Sequence, residues 1–182
     1  PETRRFVANK QTPDLHGAPL RTEYRRLALL ATGAFLFLLF ASPASQFQND
    51  FLREQRGFNA TGISIYTLLT STPAAIGIFL AGKWADTRGR RHVGALGLAG
   101  GSVFITLSYF FAGPLMWVSH LGGVVIGALT VALGVYGPEL FSTHHRAKAN
   151  GTIVPIGVLG SAAGLLLVGW LHDYFGAYGP AF

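Results

Sequence analysis

No cysteine occurs among the 182 residues. A disulfide framework, a thiolate nucleophile and a cysteine-containing zinc site are therefore all excluded. Charge is almost as scarce: only 12% of the residues are Asp, Glu, Lys or Arg, about half the share usual in a soluble domain. Nowhere do the apolar stretches gather carboxylates or set a nucleophile beside a base, so no enzymatic role is expected. His144 and His145 are adjacent rather than four apart on one helical face, so neither a metal site nor a cofactor is expected. The formal charge of +6 lies in short segments between apolar runs. It does not form one basic face with interleaved aromatics, which argues against nucleic acid as a partner.

What fills the chain is apolar: half of the residues are hydrophobic and 24 are glycine. Five runs stand out, at about 27–46, 60–82, 93–112, 115–137 and 151–171. Each has roughly the 20 residues that cross a ~30 Å hydrocarbon core at ~1.5 Å per residue. Backbone polar groups in lipid must be satisfied within the segment, so the runs read as helices and the fold class as an all-α membrane protein with about five transmembrane helices. Gly113-Pro114 breaks the third run from the fourth in a tight turn, because proline disfavours helix in the residue before it. Every Lys and Arg except Arg53 and Arg56 falls in 1–26, 83–92 or 139–150. The positive-inside rule makes those segments cytoplasmic, with residues 1–26 as a cytoplasmic loop and 27–182 as the transmembrane bundle of a plasma (inner) membrane protein.

The densest charge is the run Gly82-Lys83-Trp84-Ala85-Asp86-Thr87-Arg88-Gly89-Arg90-Arg91-His92. Such charges must reach water or headgroups, since one buried mid-bilayer costs roughly 2.5–3.5 kcal/mol. The run therefore reads as a tight loop, with Gly82 and Gly89 supplying the reversal. Asp86 is an acid that a simple positive-inside loop does not need. The spacing G-x-x-x-D-x-x-G-R-R resembles the loop between the second and third, or eighth and ninth, helices of the major facilitator superfamily. Pro1-Glu2-Thr3-Arg4-Arg5-Phe6 resembles the segment that ends the sixth helix in its sugar-porter-like and organic-acid-porter-like members. Pro138-Glu139-Leu140-Phe141-Ser142-Thr143-His144-His145-Arg146 is similar to the stretch after the tenth.

The resemblance implies part of the six-helix C-terminal half of a transporter, from the end of helix six to the start of helix twelve. It also implies a missing N-terminal half as partner, the bilayer as surroundings and a small polar or organic solute moved by alternating access, with proton coupling left open. By the same resemblance Asp86 docks on the missing half when the cytoplasmic side is closed. Arg90 pairs with Glu139, and Arg146 joins that gating network. The loop motif comprises Gly82, Asp86, Gly89, Arg90 and Arg91. Headgroup anchoring is the alternative role for these charges, and a transporter-like sensor or scaffold is the alternative function.

The spans hold no Asp, Glu, Lys or Arg. His120 is therefore the intramembrane group open to two roles, a proton relay or a hydrogen bond between helices. Ser42, Ser45, Gln46 and Asn49 recur at helical spacing in the first span, as do Ser64, Thr67 and Ser71 in the second. Ser45, Gln46, Asn49, Thr67 and Ser71 are thus candidates for the substrate path, against plain hydrogen bonding between helices. Gly97/Gly101, Gly123/Gly127 and Gly160/Gly164 are GxxxG pairs that predict close helix seams. Pro43, Pro73 and Pro155 mark bends within spans.

Overall fold

The computed structural model describes residues 20–131, Phe141 and residues 146–182. Among them there is no strand. Helix α1 spans Leu20–Gln46 and runs on past Phe47, whose N–H meets the Pro43 carbonyl at 2.9 Å, into a helical turn Gln48–Asp50 and a π-helical turn Phe51–Gln55. Helices α2, Ala60–Ser71, and α3, Ala74–Arg88, form one run bent at Pro73. The amide of Gly62 donates to the Asn59 side chain at 2.7 Å and caps the start of α2, satisfying one of the helix's orphan N–H groups. Helix α4 is Arg90–Phe110, α5 is Pro114–Gly127 with a 3₁₀ turn Ala128–Thr130, and α6 is Arg146–Phe175.

Among the described residues four runs are long and apolar enough to cross a membrane: Tyr24–Gln55, Ala60–Arg88, Arg90–Phe110 and Ala147–Phe175. Pro114–Thr130 is apolar but shorter, and the rest of the run expected to reach residue 137 lies outside the described residues. Large apolar side chains face outward, among them Leu166 at 77% exposure and Phe79 at 72%. In water that would be an aggregation surface, whereas in lipid it is the expected exterior.

The charged run is not a loop. Helix α3 continues to Arg88 and α4 begins at Arg90, so the reversal is Gly89 alone, at φ 84°. Gly82 lies inside α3 and plays no part in it. Charges need only to clear the hydrocarbon, and helix ends that project from it meet that need without an extended loop. The Arg88 guanidinium lies over the Trp84 ring, 5.7 Å from its centroid. At the other end Gly113, at φ 60°, hands the chain to Pro114 at the first position of α5, where the missing N–H costs nothing.

The helices form two groups. Helices α1 and α6 pack closely along Gly157, Gly160 and Gly164, where a Cβ on Gly160 would land on the Phe35 carbonyl and one on Gly164 on that of Leu39. Ser161 Oγ donates to Ser42 Oγ across this seam at 2.6 Å. Helices α4 and α5 form the second seam: a Cβ on Gly101 would lie 2.6 Å from Gly127 Cα, and one on Gly123 2.8 Å from Ile105. Helix α3 joins this group through Gly77, which abuts the Val125 carbonyl, and α2 joins through Tyr66 against Trp117.

An aromatic end ties the groups together, opposite the Arg88–Arg90 turn. Phe51, Leu52, Tyr66, Tyr109, Met116 and Tyr178 form its buried core. Arg56 Nη2 donates to the Phe111 carbonyl at 2.7 Å and its guanidinium lies 4.8 Å from the Phe51 ring centroid. A cation thus closes the carbonyl end of α4, where the helix dipole favours it. Burial first, then the carboxylates of Glu54, Asp50 and Asp173, push the Tyr178 hydroxyl up to about 12, so it stays protonated at neutral pH. Trp170 and Tyr174 stack outside this end, both exposed, as aromatic side chains do at a membrane interface.

Candidate functional site

Between the two helix groups lies a cavity of about 280 Å³. It exists because the glycine seams draw α1 toward α6 and α4 toward α5, while α1 meets α4 and α5 chiefly at the aromatic end. One wall is a single face of α1, formed by Phe37, Phe40, Ala41, Ala44, Ser45 and Gln48. These positions recur at helical spacing of three and four, so the face is continuous through the Phe47 junction. The opposite wall is built from the smooth Gly97/Gly101 and Gly123/Gly127 surfaces of α4 and α5, with Ser102, Thr130 and His120 as polar points. Two phenylalanines against a few convergent polar groups suit a small solute with an apolar body.

The polar end of the cavity is the Gln48–His120 pair. Gln48 Nε2 lies 3.2 Å from His120 Nε2. On the other side of the ring, His120 Nδ1 lies 3.4 Å from Ser108 Oγ, which itself donates to the Ile105 carbonyl at 2.6 Å. The Tyr66 ring packs against the imidazole at 5.2 Å between centroids. Tyr109 donates its hydroxyl to the Ala44 carbonyl at 2.6 Å, pinning the α1 wall beside Gln48. His120 is thus hydrogen-bonded to a neighbouring helix and to the extension of α1 while lining the cavity.

Of the residues expected along the substrate path, Ser45 and Ser71 line the cavity. Gln46, Asn49 and Thr67 are exposed and lie off its wall. On a helix each residue turns ~100° from the last, so Gln46 looks away from the side that holds Ala44 and Gln48, and Asn49, four residues after Ser45, falls just beyond the edge of the cavity face that Ser45 marks. Ser42 turns to α6 instead, bonding Ser161. Gln48 is the polar residue that selection by polarity alone misses. Its signal is the spacing from Phe37, Ala41 and Ala44, a mixed aromatic and small-residue face rather than a polar one.

At the charged end, Asp86 is exposed in the last turn of α3, Arg90 opens α4 half-buried and Arg91 is exposed beside it. An acid there faces the negative end of its own helix dipole, where a base such as Arg88 is what local stability favours. Asp86 breaks that local rule. Glu139 lies outside the described residues, and Arg146 is described only as the first residue of α6. Among the described residues no group of His, Asp and Glu could hold a metal ion.

The sequence model of the Major Facilitator Superfamily matches residues 26–182. The cis,cis-muconate transport protein of Acinetobacter baylyi is 29% identical over 124 residues, which is 67% of this chain and 30% of that protein. The aligned stretch thus spans less than a third of that relative. No solved structure matches the chain.

Proposed function

The chain belongs to the Major Facilitator Superfamily, and we propose that it forms part of a secondary transporter that carries a small organic solute across the membrane by alternating access. The observation that carries this reading is the cavity between the two helix groups, where the phenylalanines of α1 face small polar residues across glycine-smoothed walls. Its likeness to a cis,cis-muconate transport protein supports an organic acid as the solute. The N-terminal half of the same protein is the proposed partner, completing the cavity from the far side, and the plasma (inner) membrane is the proposed location, with residues 1–26 in the cytoplasm.

In this reading Asp86, Arg90, Glu139 and Arg146 form the cytoplasmic gate. Asp86 supports it by standing at the wrong end of its helix dipole, where contact with the N-terminus of a helix in the other half would turn a local cost into a state-dependent lock. Gly89 sets the geometry, because its positive φ lets α4 restart one residue after α3 ends. The test is thermal stabilisation of the intact transporter by a panel of organic acids, neutral sugars and amino acids. Cis,cis-muconate or a related acid is expected to raise the melting temperature, by about 2.7 kcal/mol of stabilisation at a hundredfold excess over Kd. Stabilisation by sugars alone would move the solute class.

A further inference from the structure

We infer that Gln48 and His120 form a proton-switched carboxylate subsite, in which a proton taken up on His120 Nε2 reverses the hydrogen-bonding face that Gln48 turns to the cavity. The inference rests on the solute-transport reading and adds to it the group that would recognise the acid and the proton that would accompany it.

The hydrogen bonds fix the starting state. Ser108 has one hydroxyl proton, and the 2.6 Å bond to the Ile105 carbonyl uses it. Toward His120 Nδ1, at 3.4 Å, Ser108 is then an acceptor, so Nδ1 carries the hydrogen. In a neutral imidazole the other nitrogen is bare. Nε2 therefore accepts one hydrogen of the Gln48 amide at 3.2 Å, which leaves the amide oxygen and a single remaining N–H for the cavity. That oxygen repels a carboxylate.

A proton entering from the medium has only Nε2 to bind. Once it does, both ring nitrogens donate, and the Gln48 amide must turn over so that its oxygen accepts from Nε2–H. Both amide hydrogens then point into the cavity beside a cationic ring, the arrangement a carboxylate needs. The groups facing His120 are Tyr66 from α2, Ser108 from α4 and Gln48 from the extension of α1, and none carries a charge at neutral pH. Arg56 is turned to the Phe111 carbonyl, Asp50 and Glu54 are exposed, and α3 meets the far part of α5 through uncharged residues, Gly77 at Val125 and the cluster of Leu80, Ala81 and Trp84 that includes Ile126. With no built-in countercharge, the solute's carboxylate supplies it, which couples acid and proton in one event.

Two measurements on the intact transporter test this. The first is ¹⁵N NMR of histidine-labelled protein without solute, with the His120 signal identified by its loss in His120→Gln. The Nδ1–H tautomer is expected, and an Nε2–H tautomer overturns the inference whatever any transport assay finds. The second is calorimetric titration with cis,cis-muconate in buffers of different ionisation enthalpy, which counts protons taken up on binding. His120→Gln should bind more weakly and take up about one proton fewer, so its affinity loses roughly a tenfold dependence per pH unit where histidine titrates. An unchanged proton count overturns the subsite. If the intact protein binds no muconate, the solute reading fails, and the tautomer alone decides the state of His120.

Discussion

Gly164 rests against the carbonyl of Leu39, the one carbonyl of α1 that Pro43, four residues later and without an N–H, leaves without its helical donor. The proline that frees the carbonyl and the glycine that lets a second helix approach it belong to one joint. It holds α1 to α6 at the level of the cavity.

Gly164→Ala is therefore expected to lower the yield of folded protein, because a Cβ there has only backbone to displace. Overpacking of this kind costs about 1–3 kcal/mol. Gly33→Ala, where nothing lies within 4 Å of the added carbon, should leave the yield unchanged. Fluorescence-detected size-exclusion of the two variants checks the contrast, and equal behaviour would remove the joint.

Arg56→Gln should lower the melting temperature of purified protein, since it takes the cation from the carbonyl end of α4 and from the Phe51 ring. Hydrogen bonds to charged groups are worth about 1.5–3 kcal/mol, and Arg56→Lys should recover only part of the loss. An unaltered melt in Arg56→Gln would mean that the aromatic end holds without its cap.

Topology is directly testable in a chain without cysteine. Thr87 and Glu54 are both exposed, and Thr87→Cys should react with an impermeant maleimide only from the cytoplasm, Glu54→Cys only from outside. Labelling of position 87 from outside would invert the orientation.

If the proposed gate holds, Asp86→Asn in the intact protein should reduce uptake more than it reduces protein level, because it removes the state-dependent contact that the gate assigns to Asp86 and leaves membrane insertion alone. A charge exchange, Arg90→Glu with Glu139→Arg, should restore part of the activity lost in either single variant. Partly exposed pairs contribute only ~0.2–1 kcal/mol, so the coupling belongs in a double-mutant cycle. Strictly additive losses would favour headgroup anchoring.

The all-helical membrane fold was legible because lipid forces long uncharged runs, and the hydropathy of 60–82 or 151–171 has no other outlet. The glycine seams were legible too, as at Gly97 and Gly160, because a bare backbone has few uses within a span. The cavity wall was harder to read. Ser45 and Ser71 could be chosen for polarity, but Gln48 could not be told from Gln46 or Asn49 until the phase of the helix past Pro43 was known. The charged run misled for a related reason: it shows that residues 83–91 must meet water, and an extended loop and two projecting helix ends meet that demand equally well. Only the single positive φ at Gly89 separates them. The pairing of Gln48 with His120, 72 positions apart, has no local signature at all.

The central claim, that the cavity belongs to a transporter of an organic solute, is tested most directly by uptake of radiolabelled cis,cis-muconate into proteoliposomes containing the intact protein, with and without an imposed pH gradient. Accumulation above empty liposomes, reduced in His120→Gln and Asp86→Asn at equal reconstituted amounts, is the expected result. The absence of uptake for muconate and for every acid that stabilises the protein would contradict it, leaving a membrane protein that binds its solute without moving it.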